Sequence, residues 1–403
     1  MKNSMILAAA AALALVACAK VETIQNTTEE NAISFNVYAS KANATKAGGE
    51  AGAQTNLTLG DANKSGFGVF CYYSDNTNAG NTADYTNTPS SNFLPNFMWN
   101  QQVNGNGDGT AAATAWTYSP VKYWPNETNA TYTDGGIDKL TFFAYAPYVD
   151  ATKATGKVGT ETEGITELSI YSTTGDPTLT YVIPADAANH VDVLYADATS
   201  LKNLTKPNGN TAVTFPFKHA LTSIVFRVQT FIDGVNDTDD LDDEGLAVDN
   251  ATTVTLTDLN FGGSTIYPSG KLNIATGEWT PEATEAKTFA NTGINQVVTK
   301  TKAYVTADGT NSTDPINITM IPNTTSTAYN ISVVYTVETT DNHLADNKST
   351  VTNNIKNTMN LSLAAGKRNI IDVVLGLYTV KVTATVEDWD DETAQEVDLP
   401  KNI

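Results

Sequence analysis

Apolar and polar residues alternate with a period of two along much of this chain. "AISFNVYA" places Ile33, Phe35 and Val37 on one side, and "LTFFAYAPY" does the same with Leu140, Phe142 and Ala144. "TSIVFRV" alternates through Ile224, Phe226 and Val228, and "NISVVYTVE" through Ile331, Val333, Tyr335 and Val337. "TVKVTATVEDW" does so through Val380, Val382, Ala384 and Val386. Successive side chains of a strand point to opposite faces, so each run has one face to bury and one to wet. Turn-forming stretches lie between them: "NGNGDGT" at 104–110, "TDGG" at 133–136, "YPSG" at 267–270 and "TADGT" at 306–310. Many short strands with few helical patterns predict an all-β chain built of antiparallel β-sandwiches.

The clearest break in the apolar pattern is "LKNLTKPNGN", residues 201–210, ahead of the strong strand signal "VTFPFKHALTSIVFRV". It predicts an N-terminal sandwich over 32–205 and a C-terminal one over 211–403. No short-period repeat is visible, which argues against a solenoid or propeller.

The first residues follow another pattern. Ile6 to Ala17 form an apolar stretch behind Lys2, too short for a stable membrane-spanning helix and the right length for the core of a signal peptide. Leu15-Val16-Ala17-Cys18 looks like a bacterial lipobox, so residues 1–17 are expected to be cut away and Cys18 to carry acyl chains. Residues 18–31 would then be a tether. Each buried methylene of an acyl chain adds about 0.8 kcal/mol of membrane affinity, so several chains hold a domain on a bilayer surface. The other cysteine, Cys71, is left without a disulfide partner. No basic or histidine neighbour activates it in sequence, and it is expected to be a small core residue.

Charge narrows the function further. The net charge is −21, and Arg227 and Arg368 are the only arginines, so a nucleic-acid backbone is repelled. Three histidines, His190, His219 and His343, stand far apart without metal-ligand spacing. No nucleophile elbow, phosphate-binding loop or dinucleotide fingerprint occurs. The acidic run "DGVNDTDDLDDEG", 233–245, breaks the calcium-loop alternation at Leu241, and "NGNGDGT" has Ala115 where a closing glutamate is needed. "DWDDE", 388–392, offers adjacent carboxylates with nothing to set them across a sugar. No catalytic residue, metal or cofactor is expected. Trp99, Trp116, Tyr118, Tyr123 and Trp124 form either the core and rim of a sandwich or a sugar-stacking platform.

One ordered series of segments resembles a known family. After the lipobox come "ISFNVYASKANATKAG", "FGVFCYY", "NFMWNQQV", "WTYSPVKYWP", "LTFFAYAPY" and "DVLYADAT". These are followed by "FPFKHALTSIVFRV", "LNFGGSTIYPSGKLNIATGEWT", "ITMIPNTTSTAYNISVVYTV" and "AAGKRNIIDVVLGLYTVKVTATVEDW". The series resembles the fimbrillins, the Mfa-like lipoprotein pilins of Bacteroidales-type type V fimbriae, over nearly the whole mature chain. The resemblance implies two tandem transthyretin-like β-sandwiches and export as a lipoprotein to the outer membrane, palmitate on Cys18. In polymerising members a trypsin-like protease removes the first strand, and an extended segment of a neighbouring subunit takes its place by β-strand addition.

Under that resemblance Ile33, Phe35 and Val37 are the plugs that leave with the first strand. Lys41 and Lys46 are the candidate cleavage sites; relatives carry arginine there, and this region has none. The tail "EVDLPKNI" places Val397, Leu399 and Ile403 at even offsets as a candidate donor strand, with Pro400 removing one hydrogen-bond donor. The implied partners are other fimbrial subunits, the outer membrane, and host or bacterial surface glycans or proteins. The function expected is a stalk, tip or anchor subunit supporting adhesion and biofilm formation. The alternative is an uncleaved lipoprotein acting as an anchor or glycan-binding adhesin.

Overall fold

The computed structural model describes residues 32–39, 66–74, 84–86, 93–105, 116–125, 138–207, 211–232, 252–310, 315–340, 344–377, 379–389 and 395–397. Among them the chain is all-β, with two single-turn 3-10 segments at Ala187–Asn189 and Ala198–Ser200 and no α-helix. The strands form four sheets.

In the first sheet the spatial order is β1 (Phe35–Ala39), β8 (Val213–His219), β7 (Leu194–Ala196), β4 (Lys139–Ala146), β2 (Phe67–Ser74) and β3 (Met98–Val103). A second sheet of long strands runs β13 (Glu285–Val298), β10 (Thr252–Ile266), β16 (Asn323–Thr340) and β17 (Lys348–Leu363). The third runs β12 (Trp279–Pro281), β11 (Ser269–Asn273), β6 (Thr178–Val182) and β5 (Gly164–Leu168). In the fourth, β14 (Ala303–Tyr304) and β15 (Asn317–Met320) share one edge of β9 (Thr222–Thr230), and β18 (Lys367–Leu375), β19 (Val380–Asp388) and β20 (Gln395–Val397) follow on the other side.

Alternation predicts one wet face for each run, and for β4 the packing overturns this because a core lies on each side of it. Both faces of β2 and β4 are buried, which is why "FGVFCYY" and "LTFFAYA" read as near-continuous apolar runs. One face sends Phe67, Val69, Cys71, Leu140, Phe142 and Ala144 into a small core with Phe215 and Phe217 of β8. The other sends Phe70, Tyr72, Phe143 and Tyr145 into a much larger core. That larger core passes through Leu179 and Tyr181 of the third sheet to Phe226, Phe261, Tyr329 and Leu375 between the second and fourth sheets. Phe261 and Tyr329 stack there with centroids 5.4 Å apart.

The expected division at 201–210 does not follow the sheets. Strand β8, placed in the second half by sequence, lies between β1 and β7 of the first sheet. The segment 201–210 is the connection from β7 to β8, since a turn between neighbouring strands has the same Lys, Pro, Asn and Gly content as a linker. The halves also interleave: β11 pairs with β6 through Gly270↔Tyr181 and Leu272↔Leu179, so second-half residues complete a first-half sheet. Gly277, at φ +75°, packs so closely on Tyr195 that an added Cβ would lie 2.1 Å from its ring. Trp279 Nε1 donates to the Ala220 carbonyl at 2.7 Å.

His190 fastens the same junction. Its Nδ1 accepts the Thr319 N–H at 2.9 Å, and Nε2 lies 3.1 Å from the Pro184 carbonyl, so the ring is a neutral imidazole donating from Nε2. Burial pushes its pKa down to about 4.

Candidate functional site

Residues 32–39 form a slot-filling strand. Ser34 and Asn36 face outward, while Ile33 and Phe35 are only 2% and 5% exposed. Val37 is half-buried against the same core. The Phe35 ring lies 5.0 Å from that of Tyr118, 5.5 Å from Phe215 and 6.0 Å from Phe142, in tilted or edge-on contacts. Burying an Ile and a Phe contributes on the order of 3–6 kcal/mol, at about 1.5–3 kcal/mol for each side chain.

One wall of the slot is β8. It runs parallel to β1 with Phe35↔Val213, Val37↔Phe215 and Ala39↔Phe217 in register, and Val213 N–H donates to the Ser34 carbonyl at 2.9 Å. The two strands are parallel and distant in sequence, so no tight turn joins β1 to its neighbour.

The other wall is a strap, residues 116–125. Ile33 N–H donates to the Lys122 carbonyl at 2.9 Å, and Ala32 bridges Tyr123 in antiparallel fashion. The Tyr118 hydroxyl donates to the Ile33 carbonyl at 2.8 Å and accepts the Lys122 N–H at 3.2 Å. Trp116, on Phe67 at 5.2 Å, and Trp124, on Phe142 at 5.9 Å, anchor its two ends.

These positions settle how the aromatic cluster is used. Trp124 is 5% exposed and Trp116 is 9%, so both are core residues and neither is a sugar-stacking platform. Trp99 donates its Nε1–H to the Ser169 carbonyl. Tyr123 and Val121 stay exposed beside the slot. Cys71 is fully buried in the core beneath, and that burial raises its thiol pKa well above the ordinary value. Of the tail residues, Val397 lies opposite Ala384 at the edge of the fourth sheet. Cys18, Lys41, Lys46, Leu399 and Ile403 lie outside the described residues.

Among the described residues ionisable groups also gather elsewhere: Asp372 accepts from Arg227 Nε and from Lys302 Nζ, each at 2.7 Å, and a histidine meets a buried carboxylate. His219 Nδ1 lies 2.9 Å from the buried Asp192 carboxylate, and its ring stacks on Trp389 at 4.2 Å. Among the described residues no group of three His, Cys, Asp or Glu side chains is placed to hold a metal. Ile33, Phe35 and Val37, read from sequence as one face of a strand, do face one core, whereas the strap was missed, its only signal being aromatic residues spaced around Pro120 in "WTYSPVKYWP".

Residues 24–389 match the model of the fimbrillin-like family. The chain is similar to the fimbrium subunit Fim1C of Phocaeicola vulgatus, with 23% identity over 376 residues covering 87% of this chain and 88% of that protein. Its fold is similar to the crystal structure of a fimbrial protein from Bacteroides vulgatus, with TM-score 0.60 and 23% identity over 89% of this chain and 99% of that one.

Proposed function

Because this chain belongs to the fimbrillin-like family, we propose that it is a structural and adhesive subunit of a surface fimbrium whose first strand is a removable plug. The observation that carries this reading is the slot: β1 buries Ile33 and Phe35 yet joins its sheet only through a parallel partner distant in sequence. In this reading the chain is exported on acyl chains at Cys18 and cut after Lys41 or Lys46. An extended segment of another subunit then enters the emptied slot, gaining main-chain hydrogen bonds along β8 and apolar burial at alternate positions. The tail carrying Val397, Leu399 and Ile403 is the candidate donor.

N-terminal sequencing of material sheared from cells tests this. The expected first residue is Ala42 or Ala47, in oligomers that persist on denaturing gels without heating. A product that keeps an acylated Cys18 at its start, and runs only as a monomer, rules out the stalk role. The absence of any arginine before Arg227 favours a second reading, an uncut basal anchor held in the outer membrane.

A further inference from the structure

β1 ends the strand order of its sheet, yet the residues that lead into it, Ala32 to Ser34, are held from both sides. An end strand normally leaves one row of N–H and C=O groups unpaired. Here β8 takes the Ser34 carbonyl, while the strap takes the N–H and the carbonyl of Ile33. The strap's own attachments do not depend on β1. Thr117 and Asn104 exchange two N–H···O bonds of 2.9 Å, Gln101 Nε2 donates to the Ser119 carbonyl at 3.1 Å, and Trp116 and Trp124 sit in the core.

Resting on the exchange reading above, we propose that the strap is the selective wall of the slot. Tyr118 and the Lys122 carbonyl grip the main chain of the occupant at the position of Ile33. That grip sets how fast β1 leaves after cleavage and which strand replaces it. The occupant it fits is an extended segment with a free N–H at that position and large apolar side chains there and two residues on. Proline at that position is rejected, since it has no N–H to give Lys122. Tyrosine suits the work because its ring packs on Phe35 while its hydroxyl reaches a carbonyl. Burial raises the pKa of this phenol, so it stays a neutral donor throughout the ordinary pH range.

The test uses the full chain in mild detergent, with a recognition site for a sequence-specific protease replacing residues 43–46 so that one bond is cut. After cutting, excess peptide copying residues 28–41 is added, and loss of the resident fragment is followed by mass spectrometry. Y118F, which keeps the ring and loses the hydroxyl, is expected to release its fragment about tenfold faster than wild type, the effect of one hydrogen bond near the top of the usual range. Stapling the strap to β3 with N104C/T117C is expected to slow release several-fold. A peptide N-methylated at the position of Ile33, lacking only that N–H, is expected to compete about tenfold less well.

Equal release from wild type, Y118F and the stapled chain overturns the kinetic role of the strap. Equal competition by the methylated peptide overturns its selective role. Either result leaves strand exchange standing. A confirmed cut followed by neither release nor uptake in any of the proteins overturns the exchange reading itself.

Discussion

The first sheet buries both of its faces, but in different company. Phe70, Tyr72, Phe143 and Tyr145 face a core that continues without a break into the second half of the chain. Phe67, Val69, Cys71 and Phe142 face a small core closed by one short strand and an irregular strap. Burial alone does not separate the faces, since these eight residues are all at most 1% exposed. What separates them is the cover. The large core is covered by strands paired within their own sheets, and the small one by a five-residue end strand paired on one side and an irregular strap. An extended interior and a thin cover thus share a single sheet, and in the proposed reading that cover is the part that leaves.

Substitutions should expose that contrast, and the largest effect belongs to the extended interior. Phe261→Ala removes a ring stacked on Tyr329 and is expected to cost about 3–5 kcal/mol. The loss should appear as one lowered denaturation midpoint shared by tryptophans of both halves, Trp124 and Trp279, because the core is continuous. Separate midpoints for the two halves would break the comparison.

His190 sharpens it through pH. Its folded pKa of about 4 lies below the unfolded value near 6.5, so the unfolded chain takes up the proton first as pH falls. Stability that is complete above pH 6.5 is therefore lost progressively down to about pH 4, by on the order of 3 kcal/mol, and then levels off. His190→Gln should flatten that slope in urea titrations at pH 7 and pH 4.5. An unchanged slope would remove His190 as its source.

Phe35→Ala has the smallest expected global effect, although a buried phenylalanine is lost. The penalty cannot exceed the docking free energy of β1, because beyond that point the strand lets go and the remainder stays folded. A change under about 1 kcal/mol in global stability is expected, together with faster proteolysis and hydrogen exchange confined to residues 32–39. Global unfolding at a strongly lowered midpoint would mean that the cover is part of the frame.

Local features of the chain were legible and distant pairings were not. The inward face of β1 followed from alternation, because a strand's inward side is written in every second residue, whereas β4 was read as half wet and is covered on both faces. The place of β8 was not legible: "VTFPFKH" looks the same whether it opens a new domain or returns to an old sheet. Its parallel partner lies far back along the chain at Phe35–Ala39, and no local signal reports such a pairing. The strap was missed for another reason. Its contacts with β1 come from backbone groups and one phenol, and Pro120 interrupts any period that could have marked it. Trp116 and Trp124 were noticed, but composition cannot tell a ring on a surface from a ring in a core.

The meeting of β6 with β11 also constrains how this molecule comes into being. Residues 178–182 can be made and extended while residues 269–273 are still unsynthesised, so one edge of their sheet must wait for its neighbour. Loop-closure entropy delays such distant partners, and a waiting edge recruits whatever strand comes near. A newborn chain of this design is thus most at risk of sticking to its siblings before the last third has emerged.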